Sequence, residues 1–315
     1  MDKHFIITID TEGDNLWEWN GKDPISTNNA KYLPRFQELC NKYGFKPVWL
    51  TNYEMIQDSH YLDFICGVEE SKTGEIGMHL HAWNTPPEHS LSAVTDQNPY
   101  LIEYPDDVMH EKAECLTELI KSRTGITPLS HRAGRWAMDS RYFDILLSLG
   151  YKIDCSVTPH ETWEGHPGAT AGSKGSNYCN ATENPYWIDS DKKLMEVPLT
   201  VRSTHRFFIP EIKTPKRFAG SVKRMLLGEN IWLRPHHSSE RQMQYLIDKI
   251  STSEDDYIMF MLHSSEFMPG GSPNFRTDDS IEQLYQLLER LFSQISKAYN
   301  GITLRDYYEI RKTNL

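Results

Sequence analysis

Residues Tyr257–His263, YIMFMLH, form an unbroken apolar run of strand length that ends in a histidine. A strand of that composition is buried on both faces, the condition of a parallel sheet covered by helices. Working outward, a helical pattern over 240–250 precedes it, and a long one over 280–299 follows it, with Leu284, Leu287, Leu288, Leu291 and Ile295 on one stripe. Further strand-like runs lie at 4–10, 47–51, 75–81, 128–132, 151–157, 194–201 and 302–304. Helical stretches starting near 28, 53, 106 and 140 separate the first five of them, and Gly44, Gly125 and Gly150 are placed to stop three of these helices. About eight strands alternating with helices predict parallel strands with helical crossovers, hence a distorted β/α barrel of about seven or eight strands. No linker composition divides the chain, so 1–315 is expected to form a single catalytic barrel domain. The Gly-, Asn- and aromatic-rich stretch around 160–190 is too long for a routine connection and is expected to be an inserted loop.

The strand ends carry the chemistry. Asp10, Glu12, His79, His81, Arg132, Asp154 and His263 all fall at or just beyond the C-terminal ends of these strands. Active sites of β/α barrels are built at those C-terminal ends. In GEIGMHLHAWNTP, 74–86, the two histidines are two apart, so a strand points both imidazoles to one face. Two imidazoles and one carboxylate, from Asp10 or Glu12, hold a divalent ion with an open position, zinc by default. The second carboxylate is then a candidate general base, and His263 a candidate acid for a leaving amine. Plainer readings stand beside these: HxH as a surface pair beside a turn, DxE as a solvated turn or cap, His263 as a hydrogen-bonded rim residue, and Arg132 and Asp154 as halves of structural ion pairs. His131, Arg135, His236 and His237 are further polar candidates without a specific role. Trp17, Trp83, Trp136 and Trp163 are candidates to stack on sugar faces, although burial in the core is the commoner use of tryptophan.

Composition narrows the partners. The 33 basic and 44 acidic residues give a formal net charge of −11, which argues against nucleic-acid binding. No stretch is apolar over the length needed to span a membrane, and the N-terminus reads as a strand instead of a signal peptide. Five scattered cysteines without CxxC spacing suit reduced, mostly buried thiols, and together these features predict a cytoplasmic protein. Against the acidic background, Arg202, Arg206, Lys213, Lys216, Arg217, Lys223 and Arg224 are opposed only by Glu211 over 202–224. That segment is expected either to meet a substrate phosphate or to be a solvated helix face. Transient membrane-surface contact is compatible with the chain as a whole.

The ordered series TIDTEGD, EIGMHLHAW, HRAGRW, YKIDCSVTP and MLHSSEF, running from Asp10 to Glu266, resembles the motifs of polysaccharide deacetylases of the NodB-homology type, close to the WalW-like branch. The resemblance implies a distorted β/α barrel and a metal-dependent carbohydrate deacetylase. It makes Asp10 the general base, Glu12 and His79 metal ligands, Arg132 the arginine that orients the base, Asp154 the aspartate that tunes the catalytic histidine, and His263 that histidine. Arg135 and Glu266, with Trp17, Trp83 and Trp136, are the expected substrate contacts. Two departures touch the metal site. The common pattern has adjacent acids and a second histidine four residues after the first, whereas this chain has DTE and Trp83, so His81 must take the missing ligand's place. The implied substrate is an N-acylated amino sugar, expected as a nucleotide- or lipid-linked precursor of a surface polysaccharide. The other readings are a catalytically silent glycan-binding or assembly protein on the same fold, and a metallophosphoesterase.

Overall fold

The computed structural model of the chain describes residues 2–19, 23–92, 95, 97–210 and 213–313. Its strands are β1 (His4–Thr11), β2 (Pro47–Thr51), β3 (Glu75–Leu80), β4 (Ser130–Ala133), β5 (Ile153–Asp154), β6 (Tyr186–Trp187), β7 (Met195–Glu196), β8 (Val201–Thr204), β9 (Glu229–Trp232), β10 (Tyr257–His263) and β11 (Asn300–Gly301). The helices are α1 (Leu33–Lys42), α2 (Ser59–Glu70), α3 (Asp106–Thr124), α4 (Ser140–Ser148), α5 (Pro215–Leu227), α6 (Glu240–Ser251), α7 (Asp278–Ile295) and α8 (Leu304–Thr313). One sheet runs β10-β1-β2-β3-β4-β5-β7-β6, with β11 against β1, and β8 pairs with β9 apart from it. The pairs from β10 to β7 are parallel, and β6 runs antiparallel to β7. The sheet curls into an open, distorted barrel with helices outside, as the alternating pattern predicts.

Strand alternation divides the core in two. Phe5, Ile7 and Ile9 of β1, Ile76, Met78 and Leu80 of β3, and Ile258, Phe260 and Leu262 of β10 pack outward beneath the helices. Ile6 of β1, Val48 and Leu50 of β2, and Tyr257, Met259 and Met261 of β10 fill the concave side. The same parity sends Asp10, His79, Arg132 and His263 inward. Register then brings them level, since Asp10 pairs with His263 across β1 and β10, and His79 with Arg132 across β3 and β4.

The sequence reading departs from the structure near the C-terminus and after β5. Residues 302–304 are not a strand: β11 ends at Gly301 and α8 begins at Leu304. Helix α8 closes the strands' N-terminal ends, with the Arg305 N–H donating to Glu75 Oε2 at 2.8 Å and the Tyr307 hydroxyl to Asp256 Oδ1 at 2.8 Å. Its start signal is the reciprocal pair Thr303 and Asp306. The expected strand over 194–201 divides into β7 and the start of β8, and β8 with β9 forms an antiparallel ribbon whose connection carries α5. Thr214 caps α5 and Pro215 occupies its first turn. Glu211 lies outside the described residues.

Candidate metal and catalytic site

Three donors converge at the concave end of β1 and β3. The carboxylate of Glu12 and the imidazoles of His79 and His81 are all buried, with one ligand atom from each lying within 4.8 Å of the others. His79 Nδ1 is 2.9 Å from the Arg132 carbonyl oxygen, which only accepts, so Nδ1 carries a proton and Nε2, 3.5 Å from Glu12 Oε2, is the atom left for a cation. Burial would lower the His79 pKa, but Asp10 and Glu12 raise it above the ordinary value. This is the support a metal-ligating histidine normally has. His81 Nε2 lies 2.7 Å from Glu12 Oε2, and burial lowers its pKa to about 4, so it is neutral at pH 7. Its Nδ1 is buried without a partner, close to Gly134, where a Cβ would come within 2.5 Å. Two imidazoles and one ionised carboxylate fit a divalent cation, which would take the place of the proton that Asp10 and Glu12 favour on His79.

The Glu12 backbone is clamped. Its N–H donates to Ser264 Oγ at 3.0 Å, and its carbonyl accepts from Asn29 Nδ2 at 2.7 Å. Burial opposes ionisation of the Glu12 carboxyl, yet His263 and hydrogen bonds from His79 and His81 hold it well below the usual range. Glu54 braces the neighbouring turns by accepting from Gly13 N at 2.6 Å and Asn84 Nδ2 at 2.5 Å, and burial pushes its own pKa up to about 7.

Asp10 stands beside the triad. Its Oδ1 accepts from Arg132 Nη1 at 2.6 Å, and its Oδ2 faces His79 Nε2 at 3.9 Å and His263 Nε2 at 3.8 Å. Burial would raise the Asp10 pKa, but Arg132, His79 and His263 together lower it below the ordinary value. Arg132 is itself fixed by Thr8 Oγ1 at 2.8 Å and the Cys155 carbonyl at 3.0 Å. Opposite, His263 Nδ1 lies 2.8 Å from Arg234 Nη2. A guanidinium only donates, so Nδ1 accepts, and the proton sits on Nε2, directed at Asp10 and Glu12.

Two expected residues fall elsewhere. Asp154 does not touch His263: it pairs in register with His131, on the sheet's outer face. There it accepts from His131 Nδ1 at 2.7 Å and from Ser156 Oγ at 2.8 Å, and His131 Nε2 meets the Tyr142 hydroxyl at 2.7 Å. Strand parity is the reason, because neighbours of inward Arg132 and Cys155 must point outward. Glu266 is not a substrate contact, being fully buried. Its Oε2 accepts from the His263 backbone N–H at 2.9 Å and from Arg234 Nη2 at 3.3 Å. Burial would raise its carboxyl, but Arg234 and His263 bring it down to about 2. Arg234 and Glu266 thus hold His263 where Asp154 was expected to. Glu266 sits three residues after a strand-ending histidine in a capping arrangement, a local signal; Arg234, 29 positions away, has none.

The site opens into a cavity of about 590 Å³, lined by Asp10, Glu12, His79, His81 and His263 together with Trp17, Trp83, Trp136, Arg135 and His166. Trp17 packs edge-on against His263 at 4.9 Å between centroids, and Trp83 covers His81 at 4.1 Å. Trp136 stacks on Trp163 of the 160–190 loop, and the Arg132 guanidinium lies 5.1 Å from its ring. Arg135 is held over Tyr100 and donates to the Asn98 and Pro167 carbonyls. His237 packs on Trp232 and does not line the cavity, and His236 is exposed. Among the described residues, none of the basic segment 202–224 lines this cavity. Arg202 is buried against Glu183 and Asp255 instead.

No family model matches the sequence. No curated protein matches it either. Solved structures do resemble the fold. A putative glycoside hydrolase/deacetylase from Parabacteroides distasonis superposes with a TM-score of 0.61 at 10% identity, over 100% of this chain and 72% of that one. A putative polysaccharide deacetylase from Mycobacterium smegmatis gives 0.53 at 14% identity, over 100% and 93%. The 4-alpha-glucanotransferase from Thermococcus litoralis gives 0.55 at 15% identity, over 98% of this chain but only 40% of that one. The chain has the polysaccharide-deacetylase fold, a distorted β/α barrel, and the narrower WalW-like placement rests on the motifs alone. A glucanotransferase with the same barrel shows that the reaction must be argued from the site.

Proposed function

We propose that this chain is a metal-dependent amide hydrolase that removes an acetyl or other small acyl group from an N-acylated amino sugar. One observation carries the reading: a buried Glu12–His79–His81 triad is flanked by a carboxylate fixed by an arginine and by an imidazole whose Nε2 proton faces it. A divalent ion held by Glu12, His79 and His81, zinc by its donor set, would supply Lewis acidity to the acyl carbonyl and to water. The chain's own groups divide the remaining work. Asp10, kept ionised by Arg132, takes the proton from the attacking water, and His263 Nε2–H protonates the departing amine. Trp17, Trp83 and Trp136 offer faces for the sugar ring, and Arg135 borders the cavity as a polar contact.

Within that class the reading extends to a nucleotide- or lipid-linked precursor of a surface polysaccharide, acted on in the cytoplasm. The test is elemental analysis of the native protein, with acyl release measured on a free and a diphosphate-linked N-acetylated amino sugar. About one ion per chain and acetate release, both lost in His79→Ala/His81→Ala, are expected. A metal-free native protein that binds sugar without releasing acetate would make it a silent glycan-binding protein. Phosphate in place of acetate would make it a metallophosphoesterase.

A further inference from the structure

Residues 205–228 leave the barrel between β8 and β9 and carry six basic side chains against the single acid Glu211, in a chain of net charge −11. Some of these cations are engaged: Arg206 lies 4.5 Å from the centroid of the Tyr245 ring, and Arg224 pairs with Glu229 at 2.8 Å. Helix α5 within this excursion has two unlike faces. Ser221, Val222 and Met225 form the packed face, with Ser221 buried, and Phe218, itself 54% exposed, stands at its edge and meets Phe207 at 5.5 Å between centroids. Lys216, Ala219, Lys223, Leu226 and Leu227 form the other stripe, and every one of them is exposed. Leu226 and Leu227, 69% and 70% exposed, are the most exposed large apolar side chains among the described residues.

We propose that α5 docks this protein on an anionic lipid surface, with Leu226 and Leu227 entering the headgroup–acyl boundary and Lys216 and Lys223 meeting lipid phosphates. Aliphatic tips beside lysines on a convex helix are the surface an interfacial helix presents. A nucleic acid would leave the leucines in water. A second copy seated on the stripe would set lysines against lysines. The remainder of the chain, being acidic, is repelled by an anionic bilayer, so charge selects contact through this excursion. The proposal stands whether or not the cavity hydrolyses an acyl group.

The test is sedimentation of the full-length protein with vesicles of phosphatidylcholine and phosphatidylglycerol, against vesicles of phosphatidylcholine alone. The protein is expected to pellet only with the mixed vesicles, and to be released as salt rises from about 0.1 M to about 1 M. Lys216→Gln/Lys223→Gln should weaken partitioning by roughly 30-fold, from about fivefold per charge near the surface. Leu226→Ser/Leu227→Ser should abolish it with thermal stability unchanged. Failure to pellet with the mixed vesicles, or variants that pellet like the native chain, would overturn the proposal. So would a native dimer without vesicle affinity that the leucine variant turns into monomer.

Discussion

Arg132→Met tests the pair on which the proposed base depends. Arg132 and Asp10 expose 0% and 3% of their side chains and meet at 2.6 Å, so the substitution keeps an apolar stem but strands a carboxylate away from water. Removing one partner of a buried pair costs about 3–5 kcal/mol. Of the other contacts of Arg132, Thr8 Oγ1 keeps its bond to the Phe260 carbonyl, and the Cys155 carbonyl loses one donor, within the same range. The expected loss is thus about 4 kcal/mol, a large share of the roughly 5–15 kcal/mol that holds a domain folded. Urea unfolding at pH 7, with chelator present for both proteins, measures it. Asp10→Asn alone strands the arginine instead, so Arg132→Met/Asp10→Asn should fall short of the summed losses by about 1–3 kcal/mol.

The sign of the pH effect follows from the same contact. In the native protein the Asp10 pKa is depressed, so its contribution is full above the unfolded value of about 4 and is lost as pH falls through the folded one. In the variant, burial acts on Asp10 without the arginine, its folded pKa moves up, and stability returns as the carboxyl protonates. The deficit should therefore shrink as pH falls from 7 toward 4. A deficit below about 1 kcal/mol at pH 7, or one constant over that range, would refute the argument.

Other substitutions probe the surroundings. Gly134→Ala would place its Cβ 2.5 Å from both His81 Nδ1 and the Leu80 carbonyl, which no side-chain rotation relieves. It should cost about 1–3 kcal/mol and weaken metal binding roughly tenfold in chelator competition; unchanged affinity would remove His81 from the ligand set. Glu196 has its pKa raised well above normal by burial and by Asp154, so the folded protein binds a proton there that the unfolded chain releases, and stability falls as pH rises above about 4.5. Glu196→Gln should remove that slope and be at least as stable as the native chain at pH 7 in urea unfolding. Arg234→Met should lower kcat by roughly tenfold or more with KM nearly unchanged, since Arg234 acts through His263; a change confined to KM would place it in substrate binding.

The barrel was legible because buried parallel strands have a simple signature: β2 and β10 lie where the apolar runs place them, and β3 ends one residue earlier. Once the strands are located, period-two alternation settles which polar groups share a face, which is how Asp10, Glu12, His79, His81 and His263 could be grouped from sequence. The same rule, applied to β5, puts Asp154 on the face opposite Cys155, against the role that the motif resemblance implies. Short elements left weaker traces. Strands β5 and β7 have two residues each, and α8 is rich in charge because it caps the barrel floor with an exposed back. Arg234, two residues beyond the end of β9, reaches His263 on β10, a tertiary placement that no local spacing records.

The two imidazoles are not equivalent ligands. His79 has its Nδ1 proton on the Arg132 carbonyl, so Nε2 binds a cation without a tautomer shift, on release of the proton that Asp10 and Glu12 favour on the ring. His81 must first move its proton from Nε2, where it now meets Glu12, to Nδ1, and Nδ1 lies buried without an acceptor between the Trp83 ring and Gly134. A ligating histidine that lacks such an outer partner typically forfeits about 10–100-fold in metal affinity. His81 is the position the two-residue spacing recruits in place of a ligand at Trp83, and Trp83 has become the lid over its ring. His79→Ala should therefore weaken metal binding at least about tenfold more than His81→Ala, measured by competition with a chromophoric chelator at pH 7. Equal losses, or a larger one at His81, would mean that Nδ1 finds an acceptor when the ion binds and that the recruited histidine is a full ligand.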